Sequence, residues 1–235
     1  MKIEILFNEV CGLYGDAQNV AYLKHTLPDA EFIETKLTEE PWFLTNDPDF
    51  ILIGSMSEKT QRRVIEKFRP HKARIQELIE KGTPILATGN GCEIFTAHIT
   101  YETEKTEIDG LGIVDLTVKN NYFRRYNGKV LGEADGMEIV GFRSQFSFLY
   151  GDNSENHFLK VSRGVGINKE SKLEGFRVKN LIGTQLLGPI LPLNPLFCEY
   201  LLKLAGCETQ AAFRQEAMTA YEQRLKEFHD PNVVF

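Results

Sequence analysis

The sequence predicts an α/β protein: a mostly parallel central sheet flanked by helices, with additional β-strands in the C-terminal half. Three observations carry this. Short apolar runs alternate with helical stretches through the N-terminal part of the chain, as βαβ units require. The run Ile51, Leu52, Ile53 is apolar on both faces of the pleat, which suits a buried parallel strand. Beyond about residue 99, strand-length segments bounded by Gly or Asn take over.

In order, Ile3 to Phe7 reads as a strand, followed by a helix from Asp16 to about Leu27 with Asp16 as its N-cap. AEFIETKL and Asp49 to Gly54 are the next strands. From Ser57 to Lys81 the apolar positions Val64, Ile65, Phe68, Ile75, Leu78 and Ile79 fall on one helical face, with a break at Pro70 and a stop at Gly82. Pro84 to Thr88 is a buried strand running into Gly-Asn-Gly and a short apolar helix near Cys92. A turn of that kind lies at the carboxyl edge of the sheet, where α/β proteins bind ligands. GIVDLTVK, YFRRYNGKVLG, MEIVGFRSQFSFLY, FLKVSRG and NLIGTQLLG are strand-like, and Phe142, Phe146, Phe148 and Tyr150 share one strand face by period 2, a core face. Helices cover Pro195 to Ala205 and about Gln210 to Phe228. The chain reads as one domain, 1–235, with a C-terminal helical tail at about 209–229.

A net charge of -6, with both signs mixed along the chain, argues against nucleic acid or an anionic membrane surface as a partner. No run is long and apolar enough for a membrane span, and Glu4 and Glu9 stand where a signal peptide would be apolar, so a cytoplasmic protein is expected. Cys11, Cys92, Cys198 and Cys207 show no CxxC pairing, and the five histidines no i, i+4 spacing; neither a metal site nor a cofactor is expected.

Six segments, in order, carry a resemblance: YGDAQN (14–19), FILIGSMSEKTQ, PILATGNGCEIF, DGLGIVDL, the IVGF strand at 139–142, and GTQLLGPILPLNP (183–195). With them the chain resembles the class I glutamine amidotransferases of the cobyric acid synthase-like branch, and most closely the glutaminase subunits of lipid II isoglutaminyl synthases. The resemblance implies a flavodoxin-like amidotransferase fold and a glutaminase site. Such a site needs a thiolate to attack the amide of glutamine, a histidine to carry the proton, and backbone donors for the oxyanion. By the resemblance, the nucleophile slot in the strand-to-helix elbow is Gly89 and the histidine slot before Gly188-Pro189 is Leu187. Both are empty of chemistry.

The same resemblance places Arg124, with Arg125 adjacent, where an arginine holds the substrate glutamine, and Gly54 and Ser55 in the loop that supplies an oxyanion donor. Asn90 in the elbow completes the candidate ligand-binding set. A Gly-Phe-Glu-Asn-His-Gly-Gly-Arg motif is replaced by GFRSQFSF, Gly141 to Phe148. The leading expectation is a pseudo-glutaminase, a binding or partner subunit that the resemblance associates with a Mur-ligase-like synthetase. The apolar stripe of the last helix (Phe213, Ala217, Ala220, Tyr221, Leu225) either docks that partner or packs on its own domain. Two alternatives stand beside this: an active hydrolase using a displaced thiol, Cys92 or the more exposed Cys11, and a sensor that holds glutamine or a similar small ligand in the old pocket.

Overall fold

The computed structural model describes residues 1–235. The N-terminal βα units are β1 (Lys2–Leu6), α1 (Ala17–Thr26), β2 (Glu31–Thr35), β3 (Phe50–Ile53), α2 (Glu58–Phe68), α3 (Lys72–Lys81) and β4 (Ile85–Thr88). The middle of the chain is all β: β5 (His98–Tyr101), β6 (Thr106–Asp109), β7 (Thr117–Asn120), β8 (Tyr126–Ala134), β9 (Met137–Gln145), β10 (Ser147–Tyr150), β11 (Leu159–Arg163) and β12 (Leu173–Glu174). The chain then returns through β13 (Phe176–Val178) and β14 (Leu181–Thr184) and ends in α4 (Ile190–Leu193), α5 (Pro195–Leu204) and α6 (Arg214–His229).

Six strands make the main sheet, in the order β13-β14-β4-β3-β1-β2, all parallel except β13 at one edge. Strand alternation divides the core between its two faces. Ile51, Ile53, Ile85 and Ala87 meet Val64, Ile65, Phe68, Ile75, Leu78 and Ile79 of α2 and α3. Phe50, Leu52, Leu86 and Ile182 meet Val20 and Leu23 of α1 and Phe197, Leu201 and Leu202 of α5. Each fully buried side chain of this size contributes about 1.5–3 kcal/mol, so the sheet is fixed by both layers. Helix boundaries follow local chemistry. Ser57 Oγ accepts from Thr60 N (3.2 Å) to start α2, and Gly82 at φ +82° ends α3. The break at Pro70 is a short 3-10 turn, Arg69–His71.

Two four-stranded sheets carry the remaining β-structure, β10-β7-β5-β6 and β12-β11-β8-β9. Here the sequence reading needs correction. The segment 137–150 is not one strand, because the chain breaks at Phe146 between β9 and β10. Ser147 and Leu149 form the buried face of β10, while Phe146 and Phe148 are half-buried and Tyr150 is 37% exposed; the aromatic face is not core. Arg124 and Arg125 lie in the turn before β8 rather than on a hairpin strand. The stripe on α6 packs at home: Phe228 joins Leu131, Val140 and Leu193 in a small core with Leu225 against it, and Tyr221 Oη donates to Glu138 O (2.7 Å). Of the docking candidates, Phe213 and Ala220 stay exposed.

A buried ion pair joins β9 to β12 and the end of β14. Arg143 and Glu174 are both fully buried, with Arg143 Nη2 3.0 Å from Glu174 Oε1, and Glu174 also accepts from Thr184 Oγ1 and Gln185 N (each 2.9 Å). Burial lowers the guanidinium pKa, against the pull of Glu174. Nε and Nη1 of Arg143 face no acceptor in the protein. Removing one partner of such a pair leaves an uncompensated buried charge. Glu174→Ala is therefore expected to destabilise the fold by about 3–5 kcal/mol in urea titrations, whereas Arg143→Met combined with Glu174→Leu costs much less.

Candidate functional site

The site forms where β4 ends. Asp16, buried at the start of α1, accepts from Ser55 N (2.8 Å) with Oδ2, from Thr88 Oγ1 (2.7 Å) with the same oxygen, and from Asn19 Nδ2 (3.1 Å) with Oδ1. Asn19 Oδ1 in turn accepts from Leu191 N (2.9 Å). Asp16 does occupy the N-cap position of α1, but its carboxylate makes no capping bond and serves these longer-range donors instead. The YGDAQN segment thus ties the ends of β3 and β4 and the start of α4 to one carboxylate. Burial pushes the Asp16 pKa up, opposed by its donors.

After Thr88 the chain turns sharply at Gly89, φ +55°, into the 3-10 helix Gly89–Phe95. This is the strained strand-to-helix turn that displays a nucleophile in hydrolases, here without a side chain. A Cβ placed on Gly89 would stand 2.7 Å from Ser55 Cβ and 3.0 Å from Leu187 Cδ2. The two slots named from the sequence are therefore neighbours in space, and Leu187 and Ser55 both crowd the position that a side chain on Gly89 would take. Leu187 is fixed there by reciprocal backbone bonds with Phe142, 2.8 and 3.1 Å.

The expected oxyanion loop is occupied by its own fold. Ser55 N is bonded to Asp16, Ser55 Oγ donates to Leu13 O (2.7 Å), and Met56 N donates to Asn90 Oδ1 (2.9 Å). Asn90 Nδ2 returns to Met56 O (2.8 Å), so the Asn90 amide acts as a tether between elbow and loop. Gly54 lies under Gly91, whose Cβ would sit 2.7 Å from Gly54 O, a contact that only glycine permits.

Between these segments is a cleft of about 30 Å³, room for two or three waters. Tyr14, Ser55, Gly89, Glu93 and Leu187 are among its lining residues, and no histidine is. Arg124 is not among them either, and lines a separate cleft. Arg125 is the arginine near the elbow: it donates to Ser144 Oγ (2.7 Å from Nη2) and lies over the rings of Tyr14 and Phe146, 5.6 and 5.5 Å from their centroids.

The displaced-thiol alternative loses its geometry. Cys92 is fully buried behind the elbow and burial raises its thiol pKa well above the usual range. Cys11, expected to be exposed, is 3% exposed, with burial raising its pKa to about 12. Neither supplies a thiolate near neutral pH. His98 sits at the start of β5, where its Nε2 is 3.6 Å from Glu107 Oε1.

One lining residue escaped the sequence reading. Glu93, buried at the cleft floor, accepts from Gln61 Nε2 (2.8 Å), Gln185 Nε2 (3.1 Å) and Ser147 Oγ. Tyr101 Oη extends the network to Gln61 Oε1 (2.9 Å). A lone carboxylate in the otherwise uncharged PILATGNGCEIF was the available signal. Burial raises the Glu93 pKa to about 7, despite its three donors. Between pH 4.5 and about 7 the folded protein keeps a proton that the unfolded chain has released, so this group makes stability fall as pH rises through that window. The loss is on the order of 3 kcal/mol. Glu93→Gln is expected to remove this slope from denaturation curves measured across that range, leaving the curves flatter.

Residues 2–194 match the CobB/CobQ-like glutamine amidotransferase domain. The chain is 33% identical over 214 residues to the lipid II isoglutaminyl synthase (glutamine-hydrolyzing) subunit GatD of Staphylococcus aureus, covering 88% of this chain and 85% of that one. It is 24% identical over 201 residues to the GatD subunit of Streptococcus pneumoniae, covering 83% and 76%. Among solved structures, a glutamine amidotransferase aligns with a TM-score of 0.56 at 18% identity, over 87% of this chain and 99% of that one. PurLQS from Thermotoga maritima aligns at 0.53 and 13% identity, over 95% and 98%. These neighbours share the fold, and no helix here is long and apolar enough to cross a membrane. By the span of the domain match and the identity to the staphylococcal subunit, this chain belongs to the CobB/CobQ-like glutamine amidotransferase family.

Proposed function

We propose that this protein is a pseudo-glutaminase: a GatD-like amidotransferase-fold subunit that binds a partner, by resemblance a Mur-ligase-like synthetase, without releasing ammonia from glutamine. The observation that carries the reading is the closed elbow. Gly89 has the backbone conformation of a nucleophile position, yet Ser55 Cβ and Leu187 Cδ2 lie 2.7 and 3.0 Å from where its Cβ would be. A cysteine at this position would have neither room nor a proton acceptor. Ser55 itself is pinned in place, its N–H bonded to Asp16 and its hydroxyl to Leu13 O. The three positions fit one another as a set.

The backbone donors of the cleft at Ser55 and Met56 are already bonded within the protein, and no histidine lines it. That favours a binding subunit over a hydrolase. It also gives a sensor that uses this cleft less support than a protein whose outer surface does the work.

Purified protein, alone and with a synthetase encoded beside it, is expected to release no ammonia from glutamine above the rate of a no-enzyme control. Turnover that disappears on Cys92→Ala would overturn the proposal. Steric closure has its own measurement. Gly89→Cys is expected to destabilise the fold by about 1–3 kcal/mol through overpacking. Adding Ser55→Gly should recover much of that loss, so a double-mutant cycle of the two shows favourable coupling on the order of 1 kcal/mol. Independent, additive effects would mean that Ser55 does not close the site.

A further inference from the structure

A second cleft, of about 370 Å³, opens on the other side of Phe146, within the size range of small-molecule sites. Its base is the outer face of the β7/β10 pair, where Lys119 is in register with Phe148 and Thr117 with Tyr150. Tyr126, at the start of β8, packs against Phe148 with centroids 5.5 Å apart and ring planes tilted by 53°, and Tyr150 lines the cleft beside them to complete an aromatic shelf. Around it stand Lys119, Arg124, Arg125 and Lys169, against the two acids Glu102 and Glu170.

The cations at this cleft are unusual for a chain of net charge -6. Arg125 is held by Ser144. The other three have no carboxylate partner: Lys119 and Lys169 are steadied only by the rings of Tyr150 and Tyr126, at 4.9 and 5.8 Å, and the Arg124 guanidinium makes no hydrogen bond. Glu102 is engaged by Asn121 Nδ2 (2.9 Å). With Arg125 the cleft carries four cations against the carboxylates of Glu102 and Glu170, a positive excess that an anion placed among Lys119, Arg124 and Lys169 offsets. A carboxylate carries a single charge, whereas a phosphate monoester carries about -1.5 to -2 at neutral pH and offers three acceptor oxygens. The shelf beside them suits the flat face of a ring.

We propose that this cleft binds the phosphate ester of a ring compound, of the nucleotide class, with Lys119, Arg124 and Lys169 on the phosphate and the Tyr126, Phe148 and Tyr150 shelf against the ring. The site is separate from the elbow, and its function does not depend on whether the elbow hydrolyses glutamine.

Calorimetric titration with AMP, adenosine and inorganic phosphate tests it. AMP is expected to bind saturably and at least about tenfold more tightly than either fragment, with affinity falling steeply as salt is raised. Arg124→Ala and Lys119→Ala should each weaken AMP about tenfold. Phe148→Ala should weaken AMP and leave phosphate binding unchanged. These side chains are exposed or half-buried, and a melting curve for each variant confirms its folding. Absence of saturable AMP binding at millimolar concentration overturns the proposal. So does phosphate binding as tightly as AMP, or AMP affinity unchanged in a folded Lys119→Ala, Arg124→Ala, Lys169→Ala triple variant.

Discussion

The carboxylate of Asp16 is the constraint on which the elbow depends. Three strand-end segments and a helix start must converge within a few ångströms for such a site to exist, and each brings backbone groups that burial would leave unpaired. Asp16 accepts from Ser55 N and Thr88 Oγ1, and through Asn19 it reaches Leu191 N. The loop after β3, the end of β4 and the turn into α4 are thereby fixed relative to one another. The same hydrogen bonds that hold the elbow also satisfy the buried backbone of the sheet's carboxyl edge.

The closure of the elbow follows from that rigidity. With Gly89 and Gly91 held against the Gly54–Ser55 loop, there is no slack to absorb an added side chain. Close-packed interiors respond to an extra atom by shifting or straining, and here the neighbours are a tethered loop and a leucine locked to β9 by two backbone bonds. The polar groups that remain at the cleft floor, Glu93 with Gln61, Gln185 and Ser147, satisfy one another and stay buried. They hold β10, α2 and the closing motif together.

Much of the site was legible in the chain. Gly89 at the elbow, Leu187 before Gly188-Pro189 and the Asp16 segment were placed by motif, from the glycine and proline anchors beside the two slots and the order of the segments along the chain. What those residues touch was not. Arg124 and Arg125 are adjacent in sequence and equivalent in chemistry, and both line the outer cleft, yet only Arg125 reaches over Tyr14 and Phe146 beside the elbow. Cys11 reads as a loop residue near the sheet edge but packs inward, with its thiol 3.7 Å from Met56 Sδ.

The sequence by itself determined the order of the βα units, the breaks at Pro70 and Gly82, and the absence of a thiol and an imidazole from the two expected slots. These are local properties: periodicity, turn chemistry and residue identity. Only the tertiary structure decided that Gly89 and Leu187, nearly a hundred residues apart, are neighbours with Ser55 packed against the same point, and that the aromatic face of β10 turns outward. Period-2 alternation gives two faces but not which one is buried: Arg143, Ser147 and Leu149 take the buried side on both sides of the break at Phe146, and the aromatics the other. Contacts between distant segments are set by how three sheets pack, and no single stretch of the chain carries that information.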